Sequence, residues 1–138
     1  MQIHASCAAR EGRGVLLIGA PGSGKSDLLL RLLDHGFALV ADDRVDIDAG
    51  EAAPPPALAG LLEVRGLGIV RLPFQAPVPL ALAVELGAGE RLPRPARHPL
   101  DLPLVKIDPA LASAPMRIRL ALDCALGHTP QIAGAFAR

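Results

Sequence analysis

The sequence predicts an α/β domain in which a mixed β-sheet is flanked by a few helices. The central observation is the glycine-rich segment GAPGSGKS, residues 19–26, between an apolar run at residues 15–18 and helical leucine spacing at residues 27–35. This order predicts a buried strand, a loop and a helix that stops at Gly36. A second strand pattern alternates through residues 78–86. The chain is long enough for one domain, residues 1–138, with a core of its own.

Residues 19–26, the phosphate loop, have the pattern of a site for nucleotide phosphates. The glycines let successive backbone N–H groups converge on phosphate oxygens, and the positive end of the following helix adds to the attraction. In such loops the lysine reaches the β- and γ-phosphates and the next hydroxyl binds Mg²⁺. The predicted nucleotide-binding residues are Gly19, Ala20, Pro21, Gly22, Ser23, Gly24, Lys25 and Ser26. A glycine-rich turn without a ligand is the alternative.

Composition limits the class of protein and of partner. Apolar residues make up 51% of the chain with three Phe and no Trp or Tyr, so the core must be mainly aliphatic. Fourteen basic and fourteen acidic residues cancel without a basic, aromatic-rich stripe, which argues against a nucleic-acid partner. Cys7 and Cys124 lack metal-binding spacing and suit small buried residues in a reducing compartment. Without a signal sequence or membrane-length apolar run, we expect a cytoplasmic protein with no membrane partner.

The N-terminal segment predicts a β-hairpin. Residues 2–9 and the strand at residues 15–18 flank a turn that contains glycine. The hairpin would bring His4 beside the strand that leads into the phosphate loop. There His4 is either a packed, hydrogen-bonded histidine or a catalytic group.

Residues 37–41 form another apolar run, which ends in Asp42 and Asp43. We expect this run to form the parallel strand next to the strand that enters the phosphate loop. The acids at its end would then face the metal and the γ-phosphate. Because side chains alternate along a strand, only one of the two can point into the site unless the backbone turns there. The pattern favours a catalytic base with a neighbouring acid over a solvated acidic pair.

The segment LLEVRGLGIV, residues 61–70, follows a proline-rich stretch, residues 45–60, that we expect to be an exposed loop. On an extended run Glu63 and Arg65 share one face, and Gly66 and Gly68 then break the strand. Two interpretations stay open: a surface ion pair between Glu63 and Arg65, or a magnesium ligand at Glu63.

In the second half of the chain, residues 78–86 and 102–107 predict strands. Residues 87–99 predict a loop whose arginines, Arg91 among them, are either solvated or reach a transferred phosphate. Residues 116–126, with Ser113 as a cap and Gly127 as a stop, predict a helix, although they also alternate as a strand would. Residues 128–138 predict a frayed tail.

Four segments together resemble the catalytic domain of bacterial HPr kinase/phosphorylase: HAS at His4, the phosphate loop, LVADDRV with the acid pair, and LEVRGLGI. They occur in the family's order, and the match covers residues 3–70. The resemblance implies a P-loop kinase fold related to that of phosphoenolpyruvate carboxykinase, in the shortened form found in proteobacteria. It also implies a homo-oligomer, a hexamer in the family.

The resemblance further implies ATP-dependent phosphorylation of a serine on an HPr-type phosphocarrier protein, in regulation of the phosphotransferase system. Asp43 would be the base, with His4, Lys25 and Arg91 as further catalytic residues. Ser26 and Glu63 would bind Mg²⁺. The family segment tied to dephosphorylation is matched only by residues 114–119, so we expect at most residual phosphorylase activity. An ATP-sensing regulator without phosphotransfer and a small-molecule kinase are the alternatives.

Overall fold

The computed structural model describes residues 1–137 and builds them around the predicted strand, phosphate loop and helix. In chain order the elements are β1 (Gln2–Ile3), β2 (Ser6–Arg10), β3 (Arg13–Ile18), α1 (Lys25–Leu33), β4 (Ala38–Ala41), β5 (Val45–Asp48), β6 (Glu51–Ala53), a 3-10 turn (Pro56–Leu58), β7 (Leu61–Val64), β8 (Gly68–Arg71), β9 (Val78–Leu86), β10 (Ala96–His98), β11 (Leu102–Ile107) and α2 (Ala114–Ala125).

The strands of residues 1–137 form a nine-stranded mixed sheet and a separate hairpin, β7–β8. The main path runs β1-β5-β6-β9-β3-β2-β4, and β11 pairs with β9 and carries β10. Strand β9 is parallel to both β3 and β11, whereas β2 is antiparallel to β3 and β4. This arrangement confirms the predicted mixed sheet with few helices. Neither helix in the described part of the chain is long and apolar enough to cross a membrane.

The strand that leads to the acid pair is not the direct neighbour of β3, which corrects one expectation. Strand β2 pairs with β3 through Ala8↔Val15 and with β4 through Ala8↔Leu39, so β2 lies between them. The cause is the N-terminal hairpin: β2 pairs with one edge of β3, so β4 can pair only with the other edge of β2. Because β4 still runs in the same direction as β3, both strands end at the same edge of the sheet.

Apolar side chains fill both faces of the central strands. Val15 and Leu17 of β3 lie in one buried cluster, and Leu16 lies in the other, as alternation along a strand requires. The leucine stripe of α1 covers the first cluster with Leu28 and Leu32. Each fully buried leucine contributes about 1.5–3 kcal/mol relative to an exposed one, so this stripe fixes α1 and the loop before it against the sheet.

Residues 45–60 are not the exposed loop that the prolines suggested. They contain the β5–β6 hairpin, in which Val45, Ile47 and Ala52 are buried. The three prolines come only at the end, where they withhold backbone donors from further pairing and lead into the 3-10 turn. Residues 45–48 alternate between apolar and acidic residues as a strand does, but the loop was predicted from the prolines alone.

The C-terminal segments bear out the predicted elements but not all of their details. Strands β9 and β11 have the predicted bounds, and α2 is a helix because Ile118 and Leu122 are buried at helical spacing. Ser113 occupies the predicted N-cap position, but its hydroxyl forms no capping hydrogen bond with the backbone and instead accepts one from Arg117 Nε at 2.8 Å. The prediction of a frayed tail is wrong for residues 128–137, because Phe136 packs against the core. Arg138 lies outside the described residues.

Candidate active site

An open pocket of about 570 Å³ lies where the phosphate loop meets the β7–β8 hairpin and the bend between β1 and β2. Eight of the predicted site residues line it: His4, Pro21, Gly22, Gly24, Lys25, Ser26, Asp43 and Glu63. They come from four separate segments of the chain. His4 lies in the bend just before β2 rather than within a strand beside β3. The pocket therefore brings together the phosphate loop, the acid pair and the LEVRGLGI segment.

The phosphate loop closes tightly on itself. The backbone N–H of Ser23 donates to the Ala20 carbonyl at 3.0 Å, and the next residue, Gly24, has a left-handed φ of 100°. A Cβ on Gly19 would clash with the Ser23 hydroxyl and lie 3.1 Å from Ser23 Cβ, so a larger residue at the start of the loop would require the Ser23 side chain to move. Helix α1 then begins at Lys25, and the residues of its first turn, Lys25, Ser26 and Asp27, line the pocket. The first N–H groups of a helix have no partner within the helix and can bind an anion.

Lys25 is held inside the loop that precedes it. Its Nζ donates to the carbonyl oxygens of Gly19 at 2.7 Å and Ala20 at 3.0 Å, and the residue is only 7% exposed. An ammonium group has three donors, so one remains for a ligand. The loop thus fixes a positive charge at the place where a phosphate chain would enter.

The loop also contains a buried polar atom without a partner. Within residues 1–137 the buried hydroxyl oxygen of Ser23 has no hydrogen-bond partner, and Ser23 does not line the pocket. A buried hydroxyl is normally paired, so an unpaired one needs an explanation. Gly22, Gly24 and Lys25 do line the pocket, and their donors fit nucleotide phosphates.

The backbone turns sharply at the acid pair. Asp43 has a left-handed φ of 68°, and the Arg44 N–H donates to the Asp42 carbonyl at 2.8 Å. Left-handed backbone is uncommon outside glycine, although aspartate and asparagine tolerate it better than most residues. The turn lets neighbouring carboxylates serve different partners instead of pointing to opposite faces of a strand.

Asp42 turns toward the phosphate loop and Asp43 toward His4. The Ser26 hydroxyl lies 2.8 Å from Asp42 Oδ1 and 3.1 Å from Oδ2, and Asp42 is only 8% exposed. Asp43 Oδ1 lies 3.4 Å from His4 Nε2, with 60% of the Asp43 side chain exposed. One carboxylate is therefore sealed against the loop serine, and the other is open to an incoming partner.

Asp42 was expected only as the neighbour of the predicted base, Asp43, yet it is the acid that contacts the loop serine. In phosphate-loop proteins an aspartate at the end of a nearby strand shares the metal with the loop hydroxyl, and that signal would have found it. Ser26 and Asp42 supply hard oxygen ligands, which suit Mg²⁺. In residues 1–137 no group of three or more His, Cys, Asp or Glu side chains could bind a metal by itself. A bound Mg²⁺ would therefore take its other ligands largely from phosphate and water.

Of the remaining predicted residues, Glu63 lines the pocket and Arg91 does not. Glu63 lines the pocket from β7 and, among the described residues, forms no ion pair with Arg65, so the surface-pair interpretation is wrong. Arg65 itself lines the pocket from the turn after β7. Arg91 is exposed in the loop before β10 and does not line the pocket, so its catalytic role stays a prediction.

Comparison with known proteins identifies the family of the chain. A family profile described as the HPr Serine kinase C-terminal domain matches residues 1–74. The chain is 41% identical over 120 residues to HPr kinase/phosphorylase of Cupriavidus metallidurans, which covers 72% of this chain and 37% of that protein. For HPr kinase/phosphorylase of Burkholderia cenocepacia the identity is 40% over 115 residues, which covers 70% and 36%. The chain thus spans little more than a third of the length of these relatives.

A solved structure of the Hpr(Ser) kinase/phosphatase from Coxiella burnetii has the same fold. It matches with a TM-score of 0.74 and 24% sequence identity over 93% of this chain and 98% of that one. The family profile spans the phosphate loop, the acid pair and the β7–β8 hairpin, which together build the pocket. This chain therefore belongs to the family of HPr serine kinase C-terminal domains.

Proposed function

We propose that the protein transfers the γ-phosphoryl group of ATP to a serine hydroxyl of an HPr-type phosphocarrier protein. The names of the relatives supply the substrate class. The observation that carries the proposal is the turn at the acid pair. It leaves Asp42 bound to the loop serine and Asp43 exposed at the pocket beside His4. A site with one sealed and one accessible carboxylate suits transfer to a second molecule better than nucleotide binding alone.

The phosphate loop would hold the nucleotide. Backbone N–H groups of the loop and the α1 N-terminus would contact the phosphate oxygens, and Lys25 would supply a fixed positive charge. Ser26 and Asp42, with Glu63 of β7, are the residues proposed to bind Mg²⁺. When bound, Mg²⁺ neutralises charge that develops on the β- and γ-phosphates.

Asp43 would act as the base. As the serine oxygen bonds to the γ-phosphorus, the bond from that phosphorus to the β,γ-bridging oxygen breaks, and the serine proton passes to the Asp43 carboxylate. The transition state of phosphoryl transfer is loose, so a carboxylate needs only to lie within hydrogen-bond reach of the hydroxyl. His4, 3.4 Å from Asp43, would orient that carboxylate. The exposure of Asp43 suits a serine that is part of another protein.

The direct test incubates the chain with γ-labelled ATP, Mg²⁺ and a purified HPr-type carrier. We expect label on one carrier serine and none on a carrier with that serine changed to alanine. Tight ATP binding without label on the carrier would favour an ATP sensor, and label on a metabolite instead would favour a small-molecule kinase. The same mixture with phosphorylated carrier and inorganic phosphate tests for a residual phosphorylase reaction. Homo-oligomer formation stays a prediction that sedimentation would test.

A further inference from the structure

Ser6, at the start of β2, is a buried polar residue without an assigned role. In residues 1–137 three polar or charged residues are buried, and they are Ser6, Lys25 and Asp42. Two of them already belong to the proposed nucleotide site. Ser6 is 0% exposed, its side chain lines the same pocket, and its hydroxyl donates to Asp42 Oδ1 at 2.8 Å.

The sheet register explains how Ser6 reaches Asp42. Strands β2 and β4 are antiparallel with Cys7 opposite Ala41, so the preceding residue of β2 comes level with the residue that follows β4. On the other side Ser6 pairs with Leu17 of β3, just before the phosphate loop. The hydrogen bond between Ser6 and Asp42 is therefore fixed by the pairing of β2 with β3 and β4.

Hydrogen bonds to the Asp42 carboxylate are unequal between its two oxygens. Oδ1 lies 2.8 Å from the Ser6 hydroxyl and 2.8 Å from the Ser26 hydroxyl, whereas Oδ2 has the longer Ser26 contact at 3.1 Å. Each hydroxyl has one proton to donate. Two hydroxyl donors therefore converge on Oδ1, and Oδ2 keeps lone pairs that are free for another partner.

We propose that Ser6 is a positioning residue that fixes the Asp42 carboxylate for Mg²⁺ binding beside the loop serine. The inference rests on the proposed function, because it concerns the metal-nucleotide site of the same pocket. Groups that orient a metal-binding carboxylate often matter nearly as much as the ligands, and their loss typically costs about 10–100-fold in metal affinity or activity. A buried carboxylate that loses one charge-assisted hydrogen bond can rotate away from its partner.

The experiment measures binding and not transfer. A non-hydrolysable ATP analogue is titrated into the full chain by calorimetry, without metal and across a Mg²⁺ series. In Ser6→Ala we expect an apparent Mg²⁺ affinity lower by about 10-fold or more, with metal-free nucleotide affinity unchanged. Cys7→Ala is the matched control, because Cys7 is the next residue of β2, is also buried and packs on the other face. It should bind Mg²⁺ like the wild type.

Two further variants separate positioning from packing. Ser6→Thr keeps the hydroxyl and should restore most of the Mg²⁺ affinity. Ser6→Cys keeps the size with a weaker donor and should fall between serine and alanine, which also serves if Ser6→Ala does not fold. Wild-type Mg²⁺ affinity in Ser6→Ala or Ser6→Cys, or an equal loss in Cys7→Ala, overturns the inference. A wild type that binds Mg²⁺ and the analogue but labels no carrier overturns the proposed function alone.

Discussion

The Ser26 hydroxyl lies 2.8 Å from Oδ1 of Asp42, the first member of the acid pair, and the second member turns away to His4. Two adjacent carboxylates therefore have separate surroundings, one buried and one exposed. The left-handed backbone at Asp43 lets both carboxylates lie at the same site, whereas an extended strand would have sent the two side chains to opposite faces. The separate surroundings predict that substitutions at neighbouring positions affect different steps.

Asp43→Asn should abolish transfer while leaving nucleotide binding intact. Removal of a general base typically costs about 10²–10⁴-fold in rate, and the substitution leaves the phosphate loop unchanged. Asparagine is the right replacement, because it tolerates the φ of 68° that alanine would resist. The measurement is the initial rate of carrier labelling beside calorimetric binding of the ATP analogue. Transfer at the wild-type rate would show that Asp43 is not the base.

Lys25→Ala should lose nucleotide binding, because it removes both the charge and the two hydrogen bonds that close the loop on Gly19 and Ala20. Lys25→Arg should not restore it, since a planar guanidinium differs in shape from an ammonium held between two carbonyls. The control is Lys106→Ala, which removes the other lysine of the chain, exposed on β11. Nucleotide affinity by calorimetry decides, and tight binding by Lys25→Ala would contradict the proposed role of the loop.

Local patterns predicted the parts of the fold that local patterns determine. The alternation in β9 and β11 gave their bounds, and the leucine spacing gave the buried face of α1, because burial of one face repeats at a fixed period. The pairing of β2 between β3 and β4 was missed because it joins segments about 30 residues apart, as in Ala8↔Leu39. No local pattern specifies such a partner.

The candidate site was predicted only where its residues belong to a local sequence pattern. The phosphate loop has a sequence pattern of its own, so Lys25 and Ser26 could be named. The presence of both Asp42 and Asp43 at one site depends on one left-handed backbone position at a residue that is not glycine, which composition does not reveal. The hydrogen bond from Ser6 depends on sheet register, and it could be seen only in three dimensions.

Cys7 should make the stability of the protein fall at alkaline pH. Burial raises the pKa of its thiol from 9.0 to about 12, and a weaker opposing effect comes from a backbone hydrogen bond with Val15. In the unfolded chain the thiol ionises near its ordinary pKa, so its contribution to folding is complete below about pH 9 and is lost as pH rises toward 12. The measurement is the free energy of unfolding in denaturant, under reducing conditions, from pH 8 to 11.

Cys7→Ala is the comparison that isolates this contribution. The chain has no tyrosine and only two cysteines, so few other groups titrate in the same range. The variant will be less stable at pH 8, but its free energy of unfolding should decline less steeply with pH than that of the wild type. If the free energies of unfolding of the two proteins fell in parallel with pH, burial would not keep the Cys7 thiol protonated.

Two leucines of α2 provide a matched test of the core. Leu122 is 1% exposed and packs in the cluster beneath α1, whereas Leu120, two residues earlier, is 44% exposed. Leu122→Ala should lower the free energy of unfolding by about 2–5 kcal/mol, because it removes buried methyl groups and leaves a cavity. Leu120→Ala, the same chemical change on the same helix, should cost about 0.5 kcal/mol or less. Denaturant unfolding measures both, and equal losses would mean that α2 packs through a different face.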